Sequence, residues 1–106
     1  MPTYRVFQTE VFKQKIQTQD GSFKKWFETM ADQLAESPLG GKPLGRAWFR
    51  EKKHGKYRVY YLVYEREKVV FIVNLSQKKD QQKIINSILL LVDVYKNEVE
   101  KFAKNV

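Results

Sequence analysis

The sequence predicts an α+β fold in the order β-α-α-β-β-β-α: a mainly antiparallel sheet with a helical hairpin on one face and a long C-terminal helix. Three observations predict it. Some short stretches alternate apolar with polar residues or run apolar throughout, longer stretches repeat apolar residues at helical spacing, and Gly or Pro separates several of them. The 106 residues, 42% hydrophobic and 14% aromatic, suit one domain, residues 1–106, around one core.

Thr3 to Gln8 alternates, with Tyr4 and Val6 on one side, and reads as a first strand. Thr9 is a plausible cap for a helix carrying Val11, Phe12 and Ile16, which stops at Asp20-Gly21. Ser22 then caps a second helix with Phe23, Trp26, Phe27, Met30 and Leu34 on its stripe. Pro38, Gly40, Gly41, Pro43 and Gly45 predict an irregular loop. Ala47 to Lys53, Lys56 to Arg66 and Val69 to Ser76 follow as a three-stranded meander with tight turns. Val69 to Val73 is apolar on both faces, so the sheet should be covered on both sides. The hairpin covers one. For the other, a helix from about Lys79 to Lys104 keeps Ile84, Ile88, Leu91, Tyr95, Val99 and Phe102 in phase. Its second apolar set, Ile85, Leu89 and Val92, leaves two readings open: burial on two sides, or a surface for a partner or homodimer.

The formal charge of +8 and pI near 9.7 favour polyanionic partners: RNA, DNA, ribosomes, acidic proteins or anionic membranes. Having no cysteine, the chain has no disulfide, no thiolate nucleophile and no zinc site of the cysteine type. The N-terminus lacks the pattern of a signal peptide, and no apolar run is long enough to span a bilayer, so a soluble cytoplasmic protein is expected.

Positive charge concentrates between Lys42 and Arg58, with seven basic residues against one acid, Glu51. Alternation assigns Arg46, Trp48, Arg50 and Lys52 to one face of their strand, and Arg58, Tyr60, Leu62 and Tyr64 to one face of the next. If those faces coincide, cations converge beside aromatic rings, an arrangement that suits phosphates and unpaired bases. Lys53 and Lys56 also fit the role of charges that keep a hairpin edge from aggregating. Arg58 sits in an apolar run where an unpaired guanidinium is costly, so it needs an anion, either a phosphate or a carboxylate such as Glu65 or Glu67. His54, in the expected turn, is ordinary surface unless its position makes it an acid or base. One histidine and scattered carboxylates give no metal-ligand spacing, and no cofactor is expected. There is no phosphate-loop or serine-elbow motif.

Gly41-Lys42-Pro43-Leu44, Trp48-Phe49-Arg50-Glu51, Gly55-Lys56-Tyr57-Arg58-Val59-Tyr60-Tyr61, the Val69 to Val73 strand and Lys78-Lys79-Asp80 together resemble the RelE/ParE toxin superfamily. These are the toxin halves of bacterial and archaeal toxin-antitoxin pairs, and the likeness covers most of the chain as one RelE-like domain. Resemblance to the RelE branch implies a metal-independent endoribonuclease that cuts messenger RNA, typically at the ribosome, using the RNA's own 2'-hydroxyl as nucleophile. By position, the resemblance makes Arg58 the phosphate-stabilising arginine. Arg50, Lys52 and Lys53 occupy the basic strand, and Lys78 or Lys79 the basic position after the fourth strand. Arg58, Lys52, Arg50 and Lys79 are thus the catalytic candidates, with Arg46, Lys53, His54, Lys56 and Lys78 as RNA contacts. One departure is Ile84, near where several relatives carry an aromatic or catalytic side chain. The resemblance also implies a cognate antitoxin. It leaves two other functions open: a ParE-like toxin that binds DNA gyrase, and a catalytically degenerate binding protein of the same fold.

Overall fold

A computed structural model describes residues 3–104. Strand β1 (Arg5–Gln8) leads into helices α1 (Glu10–Gln17) and α2 (Gly21–Glu36), then strands β2 (Lys42–Arg46), β3 (Phe49–His54), β4 (Tyr57–Tyr64) and β5 (Val69–Gln77). Helices α3 (Gln81–Leu90) and α4 (Val92–Lys104) close the chain. The sheet order is β1-β5-β4-β3-β2, with β1 parallel to β5 and the other neighbours antiparallel.

The expected elements are present, with three differences. Residues 42–46, read from sequence as part of a loop, form β2. It pairs with β3 through Pro43 and Arg46 with an interrupted register between them, where Gly45 takes φ 84°. Helix α2 is capped by Asp20, whose carboxylate accepts the Phe23 N–H at 2.8 Å. The expected cap, Ser22, lies in the first turn and donates to Asp20 at 3.0 Å. The single closing helix is two helices broken at Leu91, preceded by a 3₁₀ turn at Lys78–Asp80. A continuous helix over residues 81–104 would run about 36 Å at 1.5 Å per residue, as long as the 35 Å greatest extent of the molecule. The break keeps both halves on the sheet.

Both faces of the sheet are covered. Phe12, Phe23, Phe27, Met30 and Leu34 of the helical hairpin cluster with Val59, Tyr61, Val63, Val70 and Ile72. On the opposite face Ile88, Tyr95 and Val99 meet Phe49, Tyr60, Leu62, Phe71 and Val73. Phe102 stacks on Phe7 with ring centroids 4.4 Å apart, tying α4 to the β1 edge. Of the second apolar set on the closing helices, Ile85 and Leu89 pack against this core. Leu90, Leu91 and Val94 are the apolar residues left exposed there.

Thr9 joins the hairpin to the sheet. Its hydroxyl accepts the Phe12 N–H at 3.1 Å and donates to the Val73 carbonyl at 2.8 Å. That carbonyl sits where the β4–β5 register slips: Tyr60 pairs with Asn74 but Tyr61 with Ile72, so Val73 is the bulged residue.

Candidate functional site

The β3–β4 hairpin fixes the site. Its two-residue turn, Gly55-Lys56, places Gly55 at φ 59°, a conformation glycine adopts without a side-chain penalty. His54 then pairs with Tyr57, Lys53 with Arg58, Lys52 with Val59, Glu51 with Tyr60 and Arg50 with Tyr61. Directly paired residues share a face. Arg58 therefore shares its face with Lys53, Glu51 and Phe49, not with Arg50 and Lys52 as convergence of the expected faces required. The register, counted from the turn, puts Arg50 and Lys52 on the side of the helical hairpin.

Arg58 is 6% exposed. Across the strands it faces Lys53 on β3 and Ser76 on β5. Among the described residues its side-chain hydrogen bonds all leave Nη1, to the carbonyls of Gly55 at 3.1 Å and Tyr57 at 3.0 Å. Glu65 and Glu67, the carboxylates weighed as its partners, lie beyond the far end of β4. A nearly buried guanidinium opposite a lysine, with carbonyls on one nitrogen alone, concentrates positive charge that suits an anion.

Around it lies an open recess of about 370 Å³ lined by Gly40, Gly41, Lys42, Glu51, Lys52, Lys53, Arg58, Lys78 and Gln81. Five cations and one carboxylate meet there. Lys52 reaches the recess at the sheet edge, its ammonium lying near Gly40. Glu51 is 5% exposed, and both its carboxylate oxygens accept from the Gln81 amide, at 3.2 and 2.8 Å. Behind them Tyr60 and Ser76 are hydrogen-bonded at 2.8 Å. Because the Ser76 hydroxyl donates to the Gln77 carbonyl at 3.0 Å, Tyr60 is the donor of that pair. Burial pushes the Tyr60 phenol above its ordinary range, against the Ser76 hydrogen bond and with a further upward push from Glu51, so it keeps its proton.

Of the nine residues singled out from sequence, Arg58, Lys52, Lys53 and Lys78 line the recess and the others do not. Arg50 is a clamp: its guanidinium donates to the carbonyls of Ala47 at 2.7 Å, Leu39 at 3.1 Å and Gly41 at 2.7 Å. Lys79 is exposed on the 3₁₀ turn. Arg46 lies over the Trp48 ring, 5.6 Å from its centroid. His54 stacks on Trp26 at 4.5 Å, on the face opposite Arg58. Lys56 lies over Tyr57 and accepts the Lys78 N–H at its carbonyl. Sequence reasoning missed Lys42, Glu51 and Gln81 as members. Among the described residues no group of three His, Asp or Glu side chains could hold a metal ion, and no helix is long and apolar enough to cross a membrane.

No curated protein matches the chain. Solved structures do. The toxin-antitoxin complex RelBE2 from Mycobacterium tuberculosis contains a chain 25% identical, with TM-score 0.62, the match covering 73% of this chain and 93% of that one. An archaeal RelE-RelB complex from Pyrococcus horikoshii gives 25% identity and TM-score 0.63 over 71% and 94%. A mutant of the E. coli toxin RelE with an antitoxin RelBc peptide shares the fold, with TM-score 0.65 over 77% and 94%, at 17% identity. The family described as the ParE toxin of type II toxin-antitoxin systems, parDE, matches residues 7–91. The chain belongs to that family, and so to the RelE/ParE superfamily of toxins.

Proposed function

We propose that this RelE-like toxin is a metal-independent endoribonuclease of the cytoplasm that cuts messenger RNA, on or off the ribosome, by attack of a 2'-hydroxyl on the adjacent phosphate. The single observation that carries the reading is Arg58: nearly buried, opposite Lys53, with hydrogen bonds from Nη1 alone. Phosphoryl transfer adds negative charge to the phosphate oxygens. A guanidinium fixed by its own hairpin meets that charge without reorganising. Lys42, Lys52, Lys53 and Lys78 extend the positive field along the RNA backbone. An antitoxin is the matching protein partner, since neighbouring folds are solved as RelB-RelE complexes; an acidic segment over the recess would neutralise it. Leu90, Leu91 and Val94 are the surface on which a second copy would pair.

Mapping of RNA 5' ends after brief expression tests the reading. Wild-type protein should yield discrete cuts within translated messages, and Arg58→Ala should lower them by about 10²- to 10³-fold, the effect of removing one transition-state donor. Equal cutting by the variant removes Arg58 from the site. The ParE description of the matching family favours one other reading, binding to DNA gyrase. Under it, supercoiling by gyrase falls while RNA stays whole.

A further inference from the structure

We propose that Glu51 is the proton acceptor for the attacking 2'-hydroxyl, held in place by Gln81; the inference rests on the ribonuclease reading. Glu51 is the one carboxylate in the recess. It is buried in β3 between Lys42 of β2 and Tyr60 of β4, its paired neighbours. A carboxylate placed to balance lysines would be expected to bind one. The hydrogen bonds of Glu51 run instead to a neutral amide, Nε2 of Gln81 at the start of α3, which spans both oxygens. That contact fixes the carboxylate plane while leaving lone pairs for a further donor.

The choice of base follows from the lining: Glu51 is the one carboxylate there, its plane held by Gln81, and the other charged side chains lining the recess are cationic. The lysines of the recess therefore suit charge stabilisation, and the carboxylate suits proton removal. In the step proposed, the 2'-hydroxyl proton passes to a Glu51 oxygen and the 2'-oxygen bonds to phosphorus. The bond from phosphorus to the 5'-oxygen breaks, and the 5'-oxygen takes a proton from water. The products are a 2',3'-cyclic phosphate and a 5'-hydroxyl, and Glu51 returns its proton to solvent.

The test is the pH–rate profile of the whole protein on a short message, free and in programmed ribosomes, for wild type and Glu51→Gln. Binding of the same message with a 2'-deoxy residue at the cut is measured alongside. The charged and titratable groups around Glu51 are Lys42 on β2, Lys52 and Lys53 on β3, Arg58 and Tyr60 on β4, and Lys78 before α3, with Asp80 acting on Tyr60 beside them. All are retained in the variant. The expected result is a loss of about 10²- to 10⁴-fold in rate with binding of the uncleavable message nearly unchanged. The acidic limb of the wild-type profile should give way to a rate that climbs steadily with hydroxide. An unchanged profile, or a rate that falls only in step with binding, makes Glu51 a counter-charge and overturns the proposal. Should Glu51→Gln fail to fold, Gln81→Leu frees the carboxylate. A lower kcat at constant binding then supports the assignment, and an unchanged kcat overturns it. Wild-type protein that leaves RNA intact under both conditions removes the ribonuclease reading, and this one with it. Cutting by wild type that Arg58→Ala abolishes but Glu51→Gln leaves alone removes only this inference.

Discussion

At the scale of single residues, neighbouring cations divide by geometry into those that line the candidate recess and those that hold the backbone. Arg50 and Arg58 lie in adjacent strands of the same hairpin, yet Arg50 spends its donors on three carbonyls that fasten the Leu39–Gly41 segment and Ala47 to β3, while Arg58 binds carbonyls only through Nη1. Arg50→Ala should therefore lower stability by about 1 kcal/mol, the net worth of a partly exposed set of hydrogen bonds, and leave RNA cleavage per folded molecule within a few-fold of wild type. Urea unfolding and cleavage on one preparation check it; normal stability with lost cleavage would return Arg50 to the catalytic set. The sequence carried the information that separates the two arginines. A two-residue turn at Gly55-Lys56 sets the pairing by counting outward, which brings Lys53 to Arg58 and Glu51 to Tyr60. Alternation within each strand alone does not relate one strand's faces to the next, so Glu51 was visible only as the lone acid in a basic stretch.

At the scale of elements, what was legible tracks regularity. Both hairpin helices and strands β3 to β5 carry clear periods, and all formed close to their expected bounds. Strand β2 did not show because Pro43 and Gly45 are turn residues by local chemistry, and only pairing with β3 makes them part of a sheet. Its position depends on Gly41, which accompanies Lys42 into the recess. The Gly41 N–H donates to the Tyr61 hydroxyl at 2.8 Å, and that hydroxyl donates to the Pro38 carbonyl at 2.9 Å. A β-carbon on Gly41 would lie 2.5 Å from the Tyr61 hydroxyl and 2.6 Å from the Glu51 carbonyl oxygen. Backbone cannot yield as a side-chain tip can. Gly41→Ala should cost about 1–3 kcal/mol, the usual range for forced overpacking, and should weaken RNA binding as well, because Lys42 and the Glu51 backbone shift together. Thermal unfolding paired with binding of the uncleavable message checks this. A destabilised variant that binds RNA normally would show that β2 is not part of the interface.

At the scale of the whole molecule, the family match ends at residue 91 and α4 begins at Val92, so the last helix is this chain's addition to the matched region. It is not peripheral to the core. Tyr95 is 7% exposed and Val99 1%, and Phe102 stacks on Phe7 and meets Phe71 edge-on with centroids 5.5 Å apart. Burying one large apolar side chain contributes about 1.5–3 kcal/mol. Two such residues and a partly buried phenylalanine therefore approach about 4–7 kcal/mol, against a total stability of about 5–15 kcal/mol for a typical domain. A chain ending at Leu91 would uncover Phe71 and Phe7 on a sheet face that α3 alone does not reach across, so it should unfold at much lower urea than the full chain and bind a hydrophobic dye before it does. The helical hairpin face lies on the other side of the sheet and is untouched by the deletion, so residual helix signal should persist as tertiary aromatic signal is lost. The measurement is a urea titration followed by near-ultraviolet circular dichroism, which reads the tyrosines of the α4-side core, and far-ultraviolet circular dichroism in parallel. Coincident transitions at the wild-type midpoint would show that residues 3–91 already hold a complete core, and would leave α4 free to serve a partner instead.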